Sequence, residues 1–328
     1  MLLLMLVIGV AAAAGWLAWF AKAPVALPAQ AVDFSIVPGS SLKSATRQII
    51  DAGIPISPNG FNILARIYGK QTQIKAGSYE LRDGATPWTL LQKITQGDFQ
   101  MTEMVFIEGW NFGQMRAALD GHAHVRHDTR DMTDGEIMAR LGAPGVPPEG
   151  MFFPDTYLFA KGESDLAILA RAHRLMNKEL ESAWESRAPD LPLSSAREAL
   201  VLASIVEKET GDAKERPLIA GVFVNRLRRG MRLQTDPTVI YGMGERFDGN
   251  LRRKDLESDT PFNTYTREGL PPHPIAMPGR AALRAVVSPA QTDALYFVSK
   301  GDGTHQFSRS IDDHNRAVAR YQKAATRK

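Results

Sequence analysis

The chain has 328 residues, of which 44% are hydrophobic and 23% charged, so it can bury a sizeable core and is long enough for about two domains. The net charge of +3 is small, and Lys and Arg are interspersed with Asp and Glu, which argues against nucleic-acid binding. The absence of cysteine excludes disulfides, thiolate nucleophiles and cysteine-type zinc sites.

The first 21 residues, MLLLMLVIGVAAAAGWLAWFA, contain no charged side chain and are long enough to cross a bilayer as a helix. Trp16, Trp19 and Phe20 cluster as interfacial aromatic residues do in membrane helices. A cleaved signal peptide is the alternative, because Ala21-Lys22-Ala23 resembles a small-x-small site. The length and the aromatic cluster favour a transmembrane anchor over residues 1–21. Its orientation stays open, since no Lys or Arg precedes it.

A small unit with its own core is predicted after the anchor. Residues 22–31, which include Pro24 and Pro28, are predicted to form a short linker. Residues 32–98 then follow the order β-α-α-β-α. The predicted elements are a strand at 34–37, a helix capped at 40–42 and ending near 52, a helix at 60–68, a strand at 74–81, and a helix from 86 to about 97.

The pattern changes from Met101 onward. A strand at 102–107, a turn at 108–110 and a helix at 111–119 are predicted. The polar segment 121–131 contains His122, His124 and His127, which invites comparison with a metal site. A solvated loop is favoured, because no regular element would orient these side chains, and no metal site is predicted.

The segment LVLASIVEKET (200–210) predicts a buried helix that ends in two acids. Ser194 or Ser195 is the predicted N-cap and Gly211 the stop. At about 100° per residue, apolar side chains cover nearly the whole circumference of this helix. Glu207 and Glu209 project about 160° apart, so they cannot form a side-by-side pair.

A single carboxyl group at the end of a buried helix suits a general acid, because desolvation raises its pKa toward neutral pH. An ion-pair network explains the same pattern: one glutamate pairs with Lys208, Lys214 or Arg216 and the other is solvated. Spacing alone favours the ion-pair interpretation and does not choose between the two glutamates.

Two more helices and a hairpin are predicted downstream. Pro217 lies near the start of a helix that Gly230 ends, and Asp236-Pro237 is interpreted as the N-cap and first residue of the next helix. The prolines between 271 and 278 indicate a stiff loop. Residues 301–303 are predicted to be a hairpin turn between strands at 294–298 and 305–308.

Five segments of the chain, in order, resemble the motifs of the endolytic murein transglycosylases, the YceG-like family. They are EGMFFPDTYLF (149–159), LASIVEKET (202–210), VFVNRLRRGMRLQTDPTVIYGMG (222–244), NTYTREGLPPHPIAMPG (263–279) and ALYFVSKGDGTHQFS (294–308). The resemblance extends from the anchor to about residue 314. Five long motifs in one order are far more specific than a pair of acids.

The resemblance implies an α+β fold with an N-terminal transmembrane helix, a small LysM-like subdomain at 32–98 and a larger mixed α+β catalytic domain at 100–328. It implies a single-pass protein of the cytoplasmic membrane with its catalytic domain on the outer, periplasmic side. One departure from the family pattern is that no basic residue precedes the anchor.

The implied substrate is the glycan strand of peptidoglycan, cut internally near where new strands are made. Peptidoglycan synthases (penicillin-binding proteins) are the expected protein partners. No cofactor, no metal and no nucleic-acid partner is expected.

The first glutamate of the family's IVEKE motif is its catalytic acid, which here is Glu207, and Glu209 is then assigned a supporting role. Nine residues are candidates for substrate binding. Those predicted to form hydrogen bonds to sugar hydroxyls and N-acetyl groups are Asn225, Gln234, Thr235, Asp236 and Tyr241, and those predicted to line the other wall are Asp155, Tyr157, Asn263 and Tyr265. Structural roles are the alternative for each, and the simplest are a helix cap for Asp236 and a core position for Tyr157.

One acid is enough for the reaction that the resemblance implies. The 6-hydroxyl of N-acetylmuramic acid attacks its own anomeric carbon, while Glu207 protonates the bridging oxygen and then takes the hydroxyl proton, which closes a 1,6-anhydro ring. A lysozyme-like hydrolase is one alternative, and it needs a second carboxylate from Glu149, Asp155, Glu209 or Asp236. A non-catalytic peptidoglycan-binding scaffold is the other.

Overall fold

A computed structural model describes residues 1–325, and it is an α+β fold in two compact units. The first unit contains residues 1–103, 123–126 and 158–164. The second contains residues 104–122, 127–157 and those from Asp165 onward. The strands of the described residues form three two-stranded sheets, in which β1 pairs with β2, β3 with β4, and β5 with β6, as bounded below.

The elements follow in chain order: α1 (Leu2–Lys22), β1 (Ala31–Ile36), α2 (Leu42–Asp51), α3 (Pro58–Ile67), β2 (Gly77–Arg82), α4 (Pro87–Gln96), β3 (Met101–Val105), α5 (Phe112–Asp120), α6 (Asp134–Arg140), β4 (Thr156–Ala160), α7 (Asp165–Glu185), α8 (Ala196–Glu209), α9 (Arg216–Arg228), α10 (Asp236–Met243), α11 (Arg253–Glu257), α12 (Arg280–Val287), β5 (Tyr296–Ser299), β6 (His305–Ser308) and α13 (Ile311–Ala325).

Helix α1 is the one helix within residues 1–325 that is long and apolar enough to cross a membrane, judged by length and composition. Its last turn packs into the first unit, where the ring of Phe20 lies against Gly60 of α3 and Ala21 is buried. Val25 is also buried, and its N–H donates to the carbonyl of Ala85 at 2.8 Å. The first residues of the segment 22–31 are therefore packed against this unit.

The hairpin β1–β2 and three helices build the core of the first unit. Phe34 and Ile36 point inward from β1, as the alternating pattern predicts, and Phe34 stacks on the buried Tyr79 of β2 at 5.3 Å between ring centroids. Strand β2 begins at Gly77, so the predicted start at residue 74 is wrong. The reason is that the N–H of Lys75 donates to the carbonyl of Ile94 in α4 and does not pair with β1.

Helix α8 lies at the centre of the second unit. Every residue from Ala199 to Glu207 is buried, and α7, α9, α10 and α12 pack around this helix. Ser195 caps it by accepting the N–H of Glu198 at 3.3 Å. The predictions of a buried helix and of its N-cap are confirmed.

Two predictions near the C-terminal motifs have different outcomes. Thr235, not Asp236, is the residue before α10, so the prediction of Asp236 as the N-cap is wrong. The carboxylate of Asp236 instead accepts a hydrogen bond from the hydroxyl of Tyr265. The hairpin β5–β6 is confirmed: Tyr296 pairs with Ser308, and Asp302 in the turn accepts the N–H of Thr304 at 3.0 Å.

Candidate active site

Glu207 lies in the last turn of α8, and its side chain is only 4% exposed. One carboxylate oxygen, Oε1, accepts a hydrogen bond from Nη2 of Arg216 at 2.7 Å. The other, Oε2, accepts the backbone N–H of Gly279 at 2.9 Å, at the start of α12. A side chain from one helix and a backbone group from another therefore hold the carboxyl group in a fixed orientation.

Arg216 is shared between two carboxylates. Its Nη2 lies 3.8 Å from the carboxylate of Glu108, whose side chain is 46% exposed. The adjoining Gly109 donates its N–H to the carbonyl of Met277 at 2.9 Å, and Gly109 accepts a hydrogen bond from Nζ of Lys208. The turn predicted at 108–110 thus borders the buried carboxyl of Glu207.

Opposing interactions set the pKa of Glu207. Burial is the largest and raises the pKa, because it disfavours the charged form. The N–H of Gly279 and the guanidinium of Arg216 lower it, whereas the negative charge of Glu108 raises it. The net direction is upward. The protonated form is favoured relative to an exposed glutamate, while the ionised form retains two hydrogen-bond donors.

The ion-pair interpretation of the sequence is right for Glu207 and wrong for Glu209. Glu207 pairs with Arg216, one of the three cations considered. Glu209 is half-buried: it accepts a hydrogen bond from the hydroxyl of Thr235, and burial raises its pKa to about 7. The two carboxyl groups contact different residues, as their projection around the helix predicts.

The proline-rich loop brings Gly279 to Glu207. Its second half, from Pro274 to Gly279, is buried, and the N–H of Ile275 donates to Oγ of Ser204 in α8 at 3.0 Å. Pro274 also fits against Gly150, where an added Cβ would lie 2.4 Å from the proline Cβ. The loop is therefore anchored on both sides immediately before it presents the Gly279 N–H.

Glu149 forms a second buried carboxyl centre. It accepts the N–H of Phe112 at the start of α5, at 3.1 Å, and the hydroxyl of Tyr241 in α10, also at 3.1 Å. Burial raises its pKa to about 7, against the lowering effect of these hydrogen bonds. Glu149 thus connects α5 and α10, and the Tyr241 hydroxyl already has a partner.

We expect the Glu149 carboxyl to make stability depend on pH. Because its pKa is raised in the folded state, the folded protein holds this proton more tightly. The free energy of unfolding should then fall as pH rises from about 5 to about 8, by about 3 kcal/mol from this group. Glu149→Gln should remove that part of the dependence in urea unfolding of the full chain. The same change at the exposed Glu245 should not, and equal slopes for both variants would contradict this role.

Four of the nine predicted sugar-binding residues lie together. They line one cavity with Glu209: Gln234, Thr235, Asp236 and Tyr265. Glu207 bonds to Arg216 and Gly279, whereas Glu209 bonds to Thr235 of this cavity.

The other five predicted residues lie elsewhere, and most have structural partners. Tyr157 is buried, with its hydroxyl donating to the carbonyl of Phe153 at 2.7 Å. The Asn225 amide donates to the carbonyl of Thr292 at 2.7 Å, and the buried Asn263 amide donates to that of Ser258, also at 2.7 Å. Tyr241 donates to Glu149 as described, and Asp155 is exposed.

Residues that the sequence analysis did not assign to a site complete the surroundings of Glu207. Gly279 and Glu108 are the clearest cases, and Arg216 was considered only as an ion-pair partner. The EGW turn and the PG at 278–279 are visible as turn signals in the sequence. No local pattern indicates that they meet the end of α8.

Comparisons with known proteins agree on one family. The family model described as the YceG-like family matches residues 34–320. A protein of Bacillus subtilis named endolytic murein transglycosylase is 31% identical over 313 residues, covering 88% of this chain and 84% of its own length. A protein of the same name from Streptococcus pneumoniae is 25% identical, covering 88% of this chain and 58% of its own length.

A solved structure is also similar. A Listeria monocytogenes protein described as YceG-like shares 28% sequence identity with this chain and superposes with a TM-score of 0.56. The match covers 87% of this chain and 98% of that one.

Proposed function

The chain belongs to the YceG-like family, and we propose that it is a lytic transglycosylase that cuts the glycan strands of peptidoglycan internally. The bond cut joins N-acetylmuramic acid to N-acetylglucosamine, and the product carries a 1,6-anhydro end. The observation that carries the proposal is the buried carboxyl of Glu207. Burial favours its protonated form, and Arg216 and the N–H of Gly279 stabilise its ionised form. The names of the similar proteins support the same general reaction.

In the first step, protonated Glu207 gives its proton to the bridging oxygen as the glycosidic bond breaks. Burial favours the protonated form before the step. The carboxylate left behind is stabilised by Arg216 and by the N–H of Gly279. The site therefore offers a proton donor together with groups that stabilise its conjugate base.

In the second step, the Glu207 carboxylate accepts the proton of the muramic acid 6-hydroxyl. The hydroxyl oxygen bonds to the anomeric carbon, which closes the anhydro ring and returns Glu207 to its protonated form. The nucleophile belongs to the substrate, so proximity replaces a bound water. A single carboxyl group acts first as acid and then as base.

A hydrolase is the second candidate function, and one observation favours it. Glu108 shares Arg216 with Glu207 and is partly exposed, so it is a carboxylate placed beside the proposed acid. A hydrolase uses two carboxyl groups, one of which activates water or attacks the sugar. This candidate predicts that Glu108→Gln abolishes cleavage, whereas the lytic reaction does not require Glu108 as a reacting group.

We also propose a location for the protein in the cell and a role for each of its other segments. Helix α1 anchors the protein in the cytoplasmic membrane, with the catalytic domain at residues 100–328 on the periplasmic side. Residues 32–98 form a LysM-like subdomain that contacts glycan. Penicillin-binding proteins are the proposed protein partners, because a membrane anchor keeps the enzyme near newly made strands.

The experiment that tests the function is mass spectrometry of uncrosslinked glycan strands incubated with the full chain in detergent micelles. Lytic cleavage gives fragments that end in 1,6-anhydro-N-acetylmuramic acid. Hydrolysis gives reducing ends that are heavier by one water. Cleavage within long strands distinguishes internal cutting from removal of terminal units, and binding without cleavage would support the scaffold alternative.

Two neighbours of Glu207 should move the pH dependence of cleavage in opposite directions. Because the acid must be protonated, kcat/KM should fall as pH rises through the pKa of Glu207. Arg216→Met removes an interaction that lowers this pKa, so the fall should move to higher pH. Glu108→Gln removes one that raises it, so the fall should move to lower pH.

Initial rates at subsaturating substrate, measured across the pH range, provide the measurement. Lys208→Met is the matched control, because Lys208 is an exposed cation of the same region that bonds to the Gly109 carbonyl and not to Glu207. The pH dependence of kcat/KM for Lys208→Met should match that of the unmodified protein. Shifts of the same sign for Arg216→Met and Glu108→Gln would contradict the assignment of Glu207 as the acid.

A further inference from the structure

The end of helix α1 is packed into the first unit. The ring of Phe20 lies against Gly60 of α3, and Ala21 is buried in the core of the unit. Leu17, one turn earlier, packs against the same core, and Val25, which follows the helix, is also buried. The first unit and α1 are therefore joined without a flexible spacer, so the unit cannot move away from a membrane that α1 crosses.

The length of α1 sets the depth of this contact in a bilayer. The hydrocarbon core is about 30 Å thick, and a helix that rises about 1.5 Å per residue needs about 20 residues to cross it. Helix α1 has 21 residues, from Leu2 to Lys22. A spanning α1 therefore uses nearly all of them, including the stretch 17–21 that packs against the first unit. The surface of the unit beside this stretch then lies where the acyl chains meet the head groups.

Helix α3 exposes two apolar side chains on the side that faces α1. Ile63 is 44% exposed and Ile67 is 63% exposed. At about 100° per residue, they project about 60° and about 20° away from Gly60, which the ring of Phe20 touches. Both side chains therefore lie on the α1 side of α3 without being covered by α1.

Two aromatic rings continue this exposed surface. Tyr68, at the end of α3, is 54% exposed, and its ring centroid lies 4.5 Å from that of the half-buried Trp88. Trp88 belongs to the first turn of α4, and α4 also contacts α1. Tyr and Trp are enriched where a bilayer meets water, because each has an apolar ring and a polar group. We call the surface formed by Ile63, Ile67, Tyr68 and Trp88 the α3–α4 face.

The charges around the α3–α4 face suit anionic head groups. The chain from residue 52 to residue 79 contains no acid and three cations, Arg66, Lys70 and Lys75. Arg66 is exposed on α3, and Lys22, at the end of α1, is exposed as well. Such side chains reach phosphate groups with their charged ends while their stems cover apolar surface. An acidic protein surface matches these charges too, but the position at the end of a membrane helix selects lipid.

We propose that the α3–α4 face rests in the head-group region of the membrane that α1 crosses. The proposal rests on the proposed location, since α1 must span the bilayer. Ile63 and Ile67 enter the edge of the acyl-chain region, Tyr68 and Trp88 lie among the head groups, and Arg66 bonds to lipid phosphates. The first unit then contacts the bilayer both through α1 and through this face, and it does not rotate freely about the helix.

The chain has no cysteine, so single introduced cysteines can report the position of this face. The full chain carrying Ile67→Cys is labelled with a polarity-sensitive nitrobenzoxadiazole fluorophore and inserted into vesicles of phosphatidylcholine and phosphatidylglycerol. We expect emission at shorter wavelength, and quenching by lipids that carry a nitroxide near the head group. Val37→Cys is the matched control, because Val37 is 59% exposed in the same unit and its N–H donates to Gln48 of α2. Its probe should emit as in water.

A third probe separates this proposal from the location on which it rests. Gly9 lies in the exposed part of α1, and an added Cβ there meets no atom within 4 Å. The probe on Gly9→Cys should be quenched by a nitroxide deep in the acyl chains. Quenching at Gly9 with equal emission from Ile67 and Val37 would overturn the lipid contact and leave the anchor standing. No quenching at Gly9 would contradict the proposed location, and shallow quenching at Ile67 would then still support lipid contact by this face.

Polar variants test whether the side chains themselves hold the face on the bilayer. With the probe on Tyr68→Cys, the double change Ile63→Gln and Ile67→Gln should remove most of the shallow quenching, while Val37→Gln should leave it unchanged. Both isoleucines are exposed, so the core of the unit keeps its contacts. Arg66→Gln should reduce quenching in vesicles that contain phosphatidylglycerol and not in phosphatidylcholine alone. Unchanged quenching in the double variant would overturn the proposal. Glycan cleavage by the same proteins is measured separately, and its absence would contradict the proposed function without bearing on the lipid contact.

Discussion

Glu207→Gln is expected to lower the rate of glycan cleavage by about 10²–10⁴-fold, because the amide cannot donate the proton that the leaving oxygen needs. Glutamine is nearly isosteric and can still accept the N–H of Gly279. The loss should therefore appear in kcat, with little change in binding of the strand. Rates of fragment release from uncrosslinked strands, measured with the full chain, provide the comparison.

The control for this experiment must separate chemistry from stability. Removing one partner of a buried ion pair costs about 3–5 kcal/mol, since the other charge is left unpaired. Glu207→Gln leaves the buried Arg216 with Glu108, 3.8 Å away, as its remaining carboxylate partner, so the loss should lie at the lower end of this range. The double variant Glu207→Gln and Arg216→Gln should unfold at higher urea than the single variant but remain inactive. Recovery of cleavage in the double variant would show that the single change acted through folding, and Glu207 would not be the acid.

Gly150→Ala is expected to cost about 2–5 kcal/mol of stability, which is the second large effect. Gly150 has a φ of +78°, where a non-glycine residue costs about 1–2 kcal/mol. An added Cβ would also lie 2.4 Å from the Cβ of Pro274, and overpacking of this kind costs about 1–3 kcal/mol. Activity should fall as well, because the displaced loop presents the Gly279 N–H to Glu207.

Gly142→Ala is the matched control for the change at Gly150. Gly142 has a φ of +82°, but no atom lies within 4 Å of an added Cβ, so this variant tests the backbone conformation alone. In urea unfolding, the free energy of unfolding of Gly150→Ala should be well below that of Gly142→Ala. Equal losses would mean that the contact with Pro274 contributes nothing, and that the loop is not held at this point.

Local sequence signals were sufficient to predict helix α8 and the directions in which its two glutamates project. An N-cap serine, a run of apolar residues and two acids predict a buried helix whose two carboxyl groups point apart, and the structure has this arrangement. The same kind of signal was present for α7, where Ile168, Leu169, Ala172 and Met176 follow helical spacing and are buried. The sequence analysis assigned no element there, although the periodicity supports one.

Contacts between distant residues could not be predicted from such signals. The Gly279 N–H reaches Glu207 across 72 residues of sequence, and the Tyr241 hydroxyl reaches Glu149 across 92. The N-cap assignment of Asp236 failed for the same reason, since its carboxylate bonds to Tyr265, 29 residues later, and not to the backbone of its own helix. Short-range patterns locate helices and turns, whereas tertiary packing decides which side chains meet.

The family resemblance and the structure contribute different parts of the active-site proposal. The family resemblance predicts that Glu207, and not Glu209, is the acid, a choice that spacing alone did not make. The structure then provides the groups around each carboxyl: Arg216 and Gly279 at Glu207, and Thr235 at Glu209. The hydrogen bonds from Arg216 and Gly279 support proton transfer as the proposed role of Glu207.

The most direct test of the central claim is cleavage of uncrosslinked glycan in water labelled with heavy oxygen, followed by mass spectrometry of the new ends. If Glu207 alone drives attack by the substrate's own 6-hydroxyl, the ends are 1,6-anhydro-N-acetylmuramic acid without label, and Glu207→Gln produces none. New reducing ends that carry the label would show that water is the nucleophile. That result would contradict the single-carboxyl mechanism and direct attention to Glu108.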